Sequence, residues 1–237
     1  MGTENKRQGV DRRYDIILLD VDGTLLDFKL AEKLGMEHVM RAYGVEPTAE
    51  RLELYHGINE DFWSAFERGE VAKDRLVWER FNVFFGRLGI EVDGHETENL
   101  YRRQLDESAF LIDGALELCE YLKERYDLYV VTNGTSSTQY KRLAASGLDR
   151  FMKDIFVSED AGSQKPQKEY FDYCFSRIPG ARPERMLLVG DSLHSDIKGG
   201  NAAGTDTCWY NPAGETGEPG IQADYQIRHL MDLRQII

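Results

Sequence analysis

The sequence predicts a doubly wound α/β fold, in which a parallel sheet carries helices on both faces and an all-helical module is inserted. Five short apolar runs predict the strands, at residues 14–20, 128–132, 154–158, 186–190 and 207–210. Several runs lack polar alternation, which is typical of strands covered on both faces of a parallel sheet. A long stretch after the first run contains no convincing strand, and this stretch is the predicted insertion.

Amphipathic patterns between the later strands predict helices at residues 114–125, 138–146, 168–177 and 196–203. Strand and helix therefore alternate along the chain, which favours a doubly wound core. The final segment, residues 223–237, is expected to add one more short strand and a terminal helix.

The insertion follows the first strand and interrupts this alternation. Its amphipathic segments predict helices near residues 30–43, 59–67, 73–88 and 96–105, with glycine-containing breaks between them. We expect three parts: a polar N-terminal tail at 1–13, a core at 14–27 and 108–237, and a helical cap at 28–107. Such a cap can lie across the strand ends where α/β proteins bind ligands.

Charge and composition limit the partners of this chain. Its 237 residues carry a formal net charge of −13, which argues against binding to nucleic-acid polymers. A small phosphorylated metabolite stays compatible, because a metal ion and one lysine can reverse the charge locally. Residues 1–13 lack the apolar segment of a signal peptide, and no run reaches the length of a membrane span. We expect a cytoplasmic protein that is a monomer or a homodimer and does not bind membranes.

The cysteines and histidines are scattered along the sequence. Cys119, Cys174 and Cys208 form no CxxC pair, which predicts reduced, buried thiols and neither a disulfide framework nor a zinc site. The five histidines are also far apart, so surface or packing roles are favoured over metal binding.

Polar motifs follow the predicted strands, and the first is Asp20-Val21-Asp22-Gly23-Thr24. Its two carboxylates, at i and i+2, leave the strand on the same side, and Gly23 permits a sharp turn. One carboxylate could attack phosphorus while the other handles protons, and paired carboxylates favour a divalent metal with oxygen ligands. An ordinary Asp-Gly turn is the alternative.

The next two motifs are weaker when taken alone. Thr132-Asn133-Gly134 ends the second strand, where a hydroxyl and backbone N–H groups could hold phosphoryl oxygens, although Asn-Gly turns are common. Lys165 and Pro166 follow the third strand, where the ammonium could lie beside a carboxylate and a phosphate. Most single lysines are merely solvated.

The fourth strand ends in Gly190-Asp191, and Asp196 follows five residues later. Asp191 is a candidate metal ligand, and Asp196 could position Lys165 or a ligand water. A turn residue and a helix N-cap are the structural alternatives. Because the carboxyl ends of neighbouring strands converge on one crevice, the four motifs in this order predict a single site.

Taken together, the four motifs resemble those of the haloacid dehalogenase (HAD) superfamily. The resemblance covers residues 14–28 and about 111–211, and the predicted insertion matches the position of that family's C1 cap. It implies a Rossmann-like parallel sheet with a cap that closes over the site.

The resemblance also implies the roles of the motif residues. Asp20 would be the nucleophile, and Asp22 the general acid and base. The phosphoryl group would be bound by Asp20, Thr132, Asn133, Gly134 and Lys165. Magnesium would bind the carboxylates of Asp20 and Asp191 and the backbone carbonyl of Asp22, with Asp196 in support. The expected function is magnesium-dependent hydrolysis of a small phosphomonoester through an aspartyl-phosphate.

Looser matches resemble the pyrimidine 5′-nucleotidase-type group, which implies a nucleoside 5′-monophosphate as substrate. A hypothesis follows that Asn59, Trp63 and Arg80 face the site and select the leaving group. The competing interpretation places Trp63 and Phe81 in the core of the cap.

Other functions stay open at this point. A phosphotransferase or sugar-phosphate mutase would share every motif. A 2-haloacid dehalogenase is disfavoured by the carboxylate of Asp22, which that branch lacks. A phosphonatase would need a cap lysine, and Lys29, Lys33 and Lys73 show no convincing placement. A non-catalytic binding protein would be expected to lack a catalytic residue, and none is missing.

Overall fold

A six-stranded sheet forms the centre of the computed structural model, which describes residues 13–237. The strands are β1 (Ile16–Leu19), β2 (Asp127–Thr132), β3 (Asp154–Val157), β4 (Met186–Gly190), β5 (Asp206–Tyr210) and β6 (Tyr225–Ile227). Their order is β3-β2-β1-β4-β5-β6, and every neighbouring pair is parallel. The predicted α/β class and Rossmann-like parallel sheet are confirmed. Except for Arg13, the predicted tail lies outside the described residues.

The described residues form nine α-helices. They are α1 (Phe28–Ala42), α2 (Ala49–Glu67), α3 (Lys73–Arg87), α4 (Gly94–Asp106), α5 (Ala115–Lys123), α6 (Ser136–Ser146), α7 (Ser158–Ala161), α8 (Lys168–Arg177) and α9 (Lys198–Ala203). None of them combines the length and apolar character that a membrane span requires.

Three predicted helices differ from the observed ones. The helix expected at 59–67 begins ten residues earlier, as α2 (Ala49–Glu67), where the Thr48 hydroxyl caps it by accepting from the Arg51 N–H. The helix expected at 196–203 begins as a π-helical turn, Leu193–Ile197, in which the Ile197 N–H donates to the Ser192 carbonyl at 3.1 Å. Such wide turns occur often at functional sites, and this one leaves Asp196 facing Lys165. The terminal helix is only a 3-10 turn, Leu230–Gln235.

Apolar layers cover both faces of the sheet. On one face, Ile17 and Leu19 of β1 share a cluster with Leu118 of α5. On the other face, Leu18 shares a cluster with Phe171 of α8. Burial on both sides explains why the strand sequences show no polar alternation. The three cysteines lie within these layers as buried, free thiols, as predicted.

Helices α1 to α4, residues 28–106, form a helical insert with its own apolar core. Phe81 and Phe84 are fully buried there, and the Tyr55 ring stacks on Phe81 with centroids 5.6 Å apart. The chain enters the insert beside the place where it leaves, because Leu26 forms an antiparallel bridge with Leu111. Phe81 thus packs in the core of the insert, as the competing interpretation of the sequence placed it.

Candidate active site

The four motifs meet at the carboxyl ends of the central strands, beneath the helical insert. Asp20 follows β1 and Asp191 follows β4, and these neighbouring strands lie where the strand order changes direction. This is the position at which open α/β sheets bind ligands. A cavity of about 480 Å³ lies here between the core and the insert. Its lining includes the core residues Asp20, Asp22, Thr132, Asn133, Gly134, Lys165 and Asp191.

Lys165 is the central cation of the site. Its fully buried ammonium donates to Asp20 Oδ1 at 2.7 Å, to Asp196 Oδ1 at 2.6 Å and to the Val131 carbonyl at 2.9 Å. Burial alone would lower the pKa of Lys165, but the negative charges of Asp196 and Asp20 outweigh it, so the pKa lies above its ordinary value. The ammonium therefore stays charged and fixes one oxygen of Asp20.

The acidic groups outnumber this lysine. Carboxylate oxygens of Asp20, Asp191 and Asp196 lie within 4.8 Å of one another. Burial raises the pKa of Asp20 although Lys165 acts against it, and burial with the charges of Asp20 and Asp196 raises the pKa of Asp191 well above its ordinary value. Hard oxygen donors and surplus negative charge fit a divalent cation such as magnesium.

Asp196 is less available to a cation than the other two carboxylates. Its Oδ1 accepts from Lys165, and its Oδ2 accepts from the backbone N–H of Ser192 at 3.1 Å. This arrangement agrees with a supporting role. The free donor set for a cation is then centred on Asp20 and Asp191, and the Thr24 hydroxyl contacts both, at 3.1 and 3.4 Å.

Two glycines make this close approach of acids possible. Gly23 has a φ of 84°, and a Cβ there would overlap the carboxylate of Asp191. A Cβ on Gly190 would overlap the side chain of Asp196. Both positions thus need glycine for the room that it leaves, and Gly23 needs it for its left-handed backbone as well.

The carboxylate of Asp22 lines the cavity and is held from α6. Gln139 Nε2 donates to Asp22 Oδ2 at 2.8 Å, and Arg142 forms an ion pair with Asp22 Oδ1. Gln139 Nε2 also donates to the hydroxyl of Thr132 at 2.7 Å. One amide therefore links two residues that the sequence places on different motifs.

Asn133 braces Lys165 through a reciprocal pair of bonds. Its Nδ2 donates to the Lys165 carbonyl at 3.0 Å, and its Oδ1 accepts from the Lys165 N–H at 2.9 Å. Its side chain thus fixes the lysine loop, while Gly134 N–H donates to the Thr132 hydroxyl at 3.1 Å.

The insert contributes the opposite wall of the cavity. Trp63 and Arg80 line it, whereas Asn59 lies behind Arg80, 3% exposed, and bonds to Glu32 at 2.7 Å and to Arg80 at 3.1 Å. This corrects the expectation that Asn59 faces the site: the buried charges of Glu32 and Arg80 need its amide as a bridge. Trp63 Nε1 is buried and has no hydrogen-bond partner among residues 13–237.

Glu67, at the end of α2, brings a further carboxylate to this wall. Burial and the charge of Asp196 raise the pKa of Glu67 to about 7, against the effects of Lys165 and of hydrogen bonds to Ser195 and Asn133. The insert therefore adds a further acidic group to a site that already has more acidic groups than cations.

Sequence reasoning missed four of these residues: Thr24, Glu67, Gln139 and Arg142. A partial signal existed for the pair on α6, because Gln139 and Arg142 are three residues apart and so share one face of a predicted helix. The structure shows that this face is buried, since each of the two residues is only 1% exposed. Polar residues on the buried face of a helix indicate a local partner. Glu67 has no comparable signal, since its neighbours come from distant parts of the sequence.

Comparison with known proteins gives one family and several close relatives. The model of the haloacid dehalogenase-like hydrolases matches residues 14–204. The HAD-hydrolase YfnB of Bacillus subtilis strain 168 is 48% identical over 226 residues, covering 95% of this chain and 96% of YfnB. A crystal structure of YfnB, bound to magnesium and described as showing interdomain movement, has a TM-score of 0.91 and covers 95% of this chain and 99% of that one.

Two further relatives have names that state an activity. The pyrimidine 5′-nucleotidase PynA of Streptococcus pneumoniae is 36% identical over 221 residues, covering 93% of each chain. The pyrimidine 5′-nucleotidase YjjG of Escherichia coli is 29% identical over 225 residues, covering 95% of this chain and 98% of YjjG. These similarities extend through the insert as well as the core.

Proposed function

This chain belongs to the haloacid dehalogenase-like hydrolase family, and we propose that it hydrolyses a small phosphomonoester with Asp20 as the nucleophile. The observation that carries the proposal is the position of Asp20: one of its oxygens is fixed by Lys165, and the acid Asp22 lies on the same cavity wall. A fixed carboxylate, a buried cation and a second carboxyl group are the parts that two-step phosphoryl transfer requires.

In the first step Asp20 attacks phosphorus and displaces the leaving oxygen, which gives an aspartyl-phosphate. Water then attacks phosphorus, releases inorganic phosphate and regenerates the Asp20 carboxylate. Dividing the displacement in this way replaces one difficult reaction by two easier ones. Lys165 and the hydroxyl of Thr132, with the backbone of Asn133 and Gly134, would hold the phosphoryl oxygens in both steps.

Asp22 would donate a proton to the leaving oxygen and later take one from the attacking water. Both carboxylate oxygens of Asp22 already have partners, Arg142 at Oδ1 and Gln139 at Oδ2, so proton exchange with the substrate requires one of these partners to move. An alkoxide needs such a proton and a halide does not. The presence of Asp22, held by two dedicated side chains, therefore supports phosphate chemistry over dehalogenation.

A magnesium ion bound by the carboxylates of Asp20 and Asp191 and the backbone carbonyl of Asp22 would neutralise charge on the phosphoryl oxygens. The surplus of acidic groups over Lys165 supports this assignment. Asp196 keeps Lys165 in place and supports the site indirectly.

We propose that the ester is a nucleoside 5′-monophosphate with a pyrimidine base. The names of PynA and YjjG support this class, as does their similarity over nearly the whole chain. A cavity of about 480 Å³ is within the range that binds small ligands. The Trp63 ring lies in the cavity lining and supplies an apolar face for a base.

The test is phosphate release from UMP, dUMP, dTMP, p-nitrophenyl phosphate, phosphoglycolate and sugar phosphates, with magnesium and with EDTA. We expect magnesium-dependent turnover, strongest on the pyrimidine monophosphates. Preference for another ester would overturn the nucleotide and keep the phosphatase. Isomerisation of a sugar phosphate with little free phosphate would instead identify a mutase.

The leaving-group wall is tested separately by Trp63→Leu, with Trp78→Leu as the matched control. Trp78 is also in the insert, but it packs against His95, with ring centroids 4.8 Å apart. We expect Trp63→Leu to raise KM for UMP more than KM for p-nitrophenyl phosphate. Trp78→Leu should change neither KM. Equal effects on both substrates would remove Trp63 from substrate selection.

A further inference from the structure

Lys73, the first residue of α3, reaches from the helical insert to the loop of the core at residues 132–134. Its ammonium donates to the carbonyl oxygens of Asn133 and Gly134, both at 2.6 Å, and to the Ser158 hydroxyl at 3.2 Å. Glu159 completes the surroundings at 3.3 Å. The side chain is only 12% exposed, so these bonds form away from bulk water, where they are stronger.

The same ammonium contacts the cavity wall of the insert. It lies 5.8 Å from the ring centroid of Trp63 and 5.9 Å from that of Phe66. Next to this contact, Gln164 Nε2 donates to the Phe66 carbonyl at 2.9 Å, and Gln164 precedes Lys165. One edge of the insert therefore contacts the loops that carry Asn133 and Lys165.

The bonds to two successive carbonyls fix the orientation of the loop. In a planar trans peptide, the C=O and the following N–H point in opposite directions. Because Lys73 draws the Asn133 carbonyl towards the insert, the Gly134 N–H points the other way, where it meets the Thr132 hydroxyl at 3.1 Å. Lys73 thus determines that the N–H edge of the Asn133–Gly134 peptide, and not its C=O edge, is turned towards Thr132 and the cavity.

We propose that Lys73 is a positioning residue for phosphoryl transfer, which makes correct geometry of the loop at 132–134 depend on contact with the insert. The inference rests on the proposed phosphatase chemistry. Lys73 does not act on the substrate itself, since its ammonium is surrounded by loop acceptors. This placement also explains why it is unsuited to forming a Schiff base in the cavity.

The experiment compares Lys73→Met and Lys73→Arg with Lys33→Met, the same change at an exposed lysine of α1. Two quantities are measured in magnesium: the affinity for inorganic phosphate, and kcat and KM for p-nitrophenyl phosphate. We expect Lys73→Met to weaken phosphate binding about tenfold and to lower kcat by about 10- to 100-fold, since small displacements at a reacting centre have effects of this size. Lys73→Arg should recover most of both losses, and Lys33→Met should lose neither.

A purely structural role predicts a different pattern. It would lower the melting temperature of Lys73→Met and reduce the amount of active enzyme, but leave the phosphate affinity of the folded fraction unchanged. That result, or Lys73→Met and Lys33→Met behaving alike, would overturn the inference. If Lys73→Met does not fold, Lys73→Gln, which keeps a shorter donor, must bind phosphate more weakly than Lys73→Arg for the inference to stand.

The two measurements separate this inference from the proposed function. Phosphate binding reports on the loop even if none of the tested esters is hydrolysed. Weakened binding in Lys73→Met without turnover in the unaltered protein would keep the positioning role and reject the phosphatase. Normal turnover in Lys73→Met would reject the positioning role and keep the phosphatase.

Discussion

Two networks of buried charge, one in the core and one in the helical insert, differ in their balance. In the insert, Arg80 bonds to Glu98 at 2.7 Å and to Asn59, and Glu98 also accepts from Arg102 at 2.9 Å. Glu32 closes the network by accepting from Asn59 and pairing with His56 at 2.7 Å. Two buried acidic groups thus meet two guanidinium groups and an imidazole, and the exposed Glu60 lies 3.2 Å from the other nitrogen of that imidazole.

The core network is unbalanced. Asp20 and Asp196 share the single ammonium of Lys165, Asp191 brings a third carboxylate within 4.8 Å of theirs, and Glu67 approaches from the insert. Burial makes each unpaired carboxylate costly, so the core retains an unmet demand for positive charge. Buried charge is therefore present in both networks, but only the core network combines it with an excess of one sign next to the cavity.

The largest effect should come from Asp20→Asn. We expect kcat for the best substrate to fall by at least about 10⁴-fold, since loss of a nucleophile removes the covalent route. The free energy of unfolding should not fall, because the change removes one of the surplus negative charges. Phosphate-release assays and urea unfolding measure the two quantities. Retention of more than about a hundredth of the activity would contradict the role of Asp20.

In the insert, Arg80→Met should mainly affect stability. Removing one partner of a buried pair destabilises by about 3 kcal/mol, because Glu98 and Asn59 lose their bonds. Arg75→Met on the same helix, where the arginine is exposed and pairs with Glu79, should leave the free energy of unfolding nearly unchanged. If urea unfolding showed equal losses of stability for Arg80→Met and Arg75→Met, the buried network of the insert would stabilise the protein no more than an exposed ion pair does.

Magnesium should stabilise the protein through the core network alone. At a concentration of about 100 times its Kd, the ion should add about 2.7 kcal/mol to the free energy of unfolding, and EDTA should remove this gain. Asp191→Asn should abolish the effect, and Asp172→Asn, on the exposed surface of α8, should preserve it. A magnesium effect that survives in Asp191→Asn would place the ion elsewhere.

The smallest effect concerns the pH dependence of stability through Glu67. Its pKa is about 7 in the folded protein and near 4.5 when exposed, so the folded state binds the proton more tightly. Ionisation of Glu67 therefore destabilises the folded state progressively between about pH 4.5 and 7. In EDTA, the free energy of unfolding of Glu67→Gln should rise relative to that of the unaltered protein, by on the order of 2 kcal/mol between pH 5 and pH 8.5. If the two proteins differed in free energy of unfolding by the same amount at pH 5 and pH 8.5, ionisation of Glu67 would make no contribution to stability.

Much of the core could be predicted because it depends on local sequence. Each strand of the site is a short apolar run that ends in a polar motif, and parallel strands bring their carboxyl ends to one edge. That rule brings Asp20, Thr132, Lys165 and Asp191 together without knowledge of any side-chain contact. Five predicted strands correspond to observed ones, with boundaries that differ by one or two residues.

The insert could be predicted only as a set of helices. Its amphipathic pattern does not say which polar residues face the core and which complete a network inside. Asn59 was expected at the cavity for its chemistry, yet the nearby charges of Glu32 and Arg80 hold it in the interior of the insert. Trp63, four residues further along the same helix, does reach the cavity wall.

Local sequence was enough to predict the fold class, the inserted helices and the four motifs at the strand ends, because apolar runs, turn residues and the alternation of strands with helices are features of short segments. Tertiary structure alone decided that Gln139 and Arg142 hold Asp22, that Asn133 braces Lys165, and that Lys73 holds the neighbouring loop. These contacts join residues up to 120 positions apart. Their geometry depends on how α6, the loops after the strands and the insert pack against one another, and no short stretch of sequence encodes that packing.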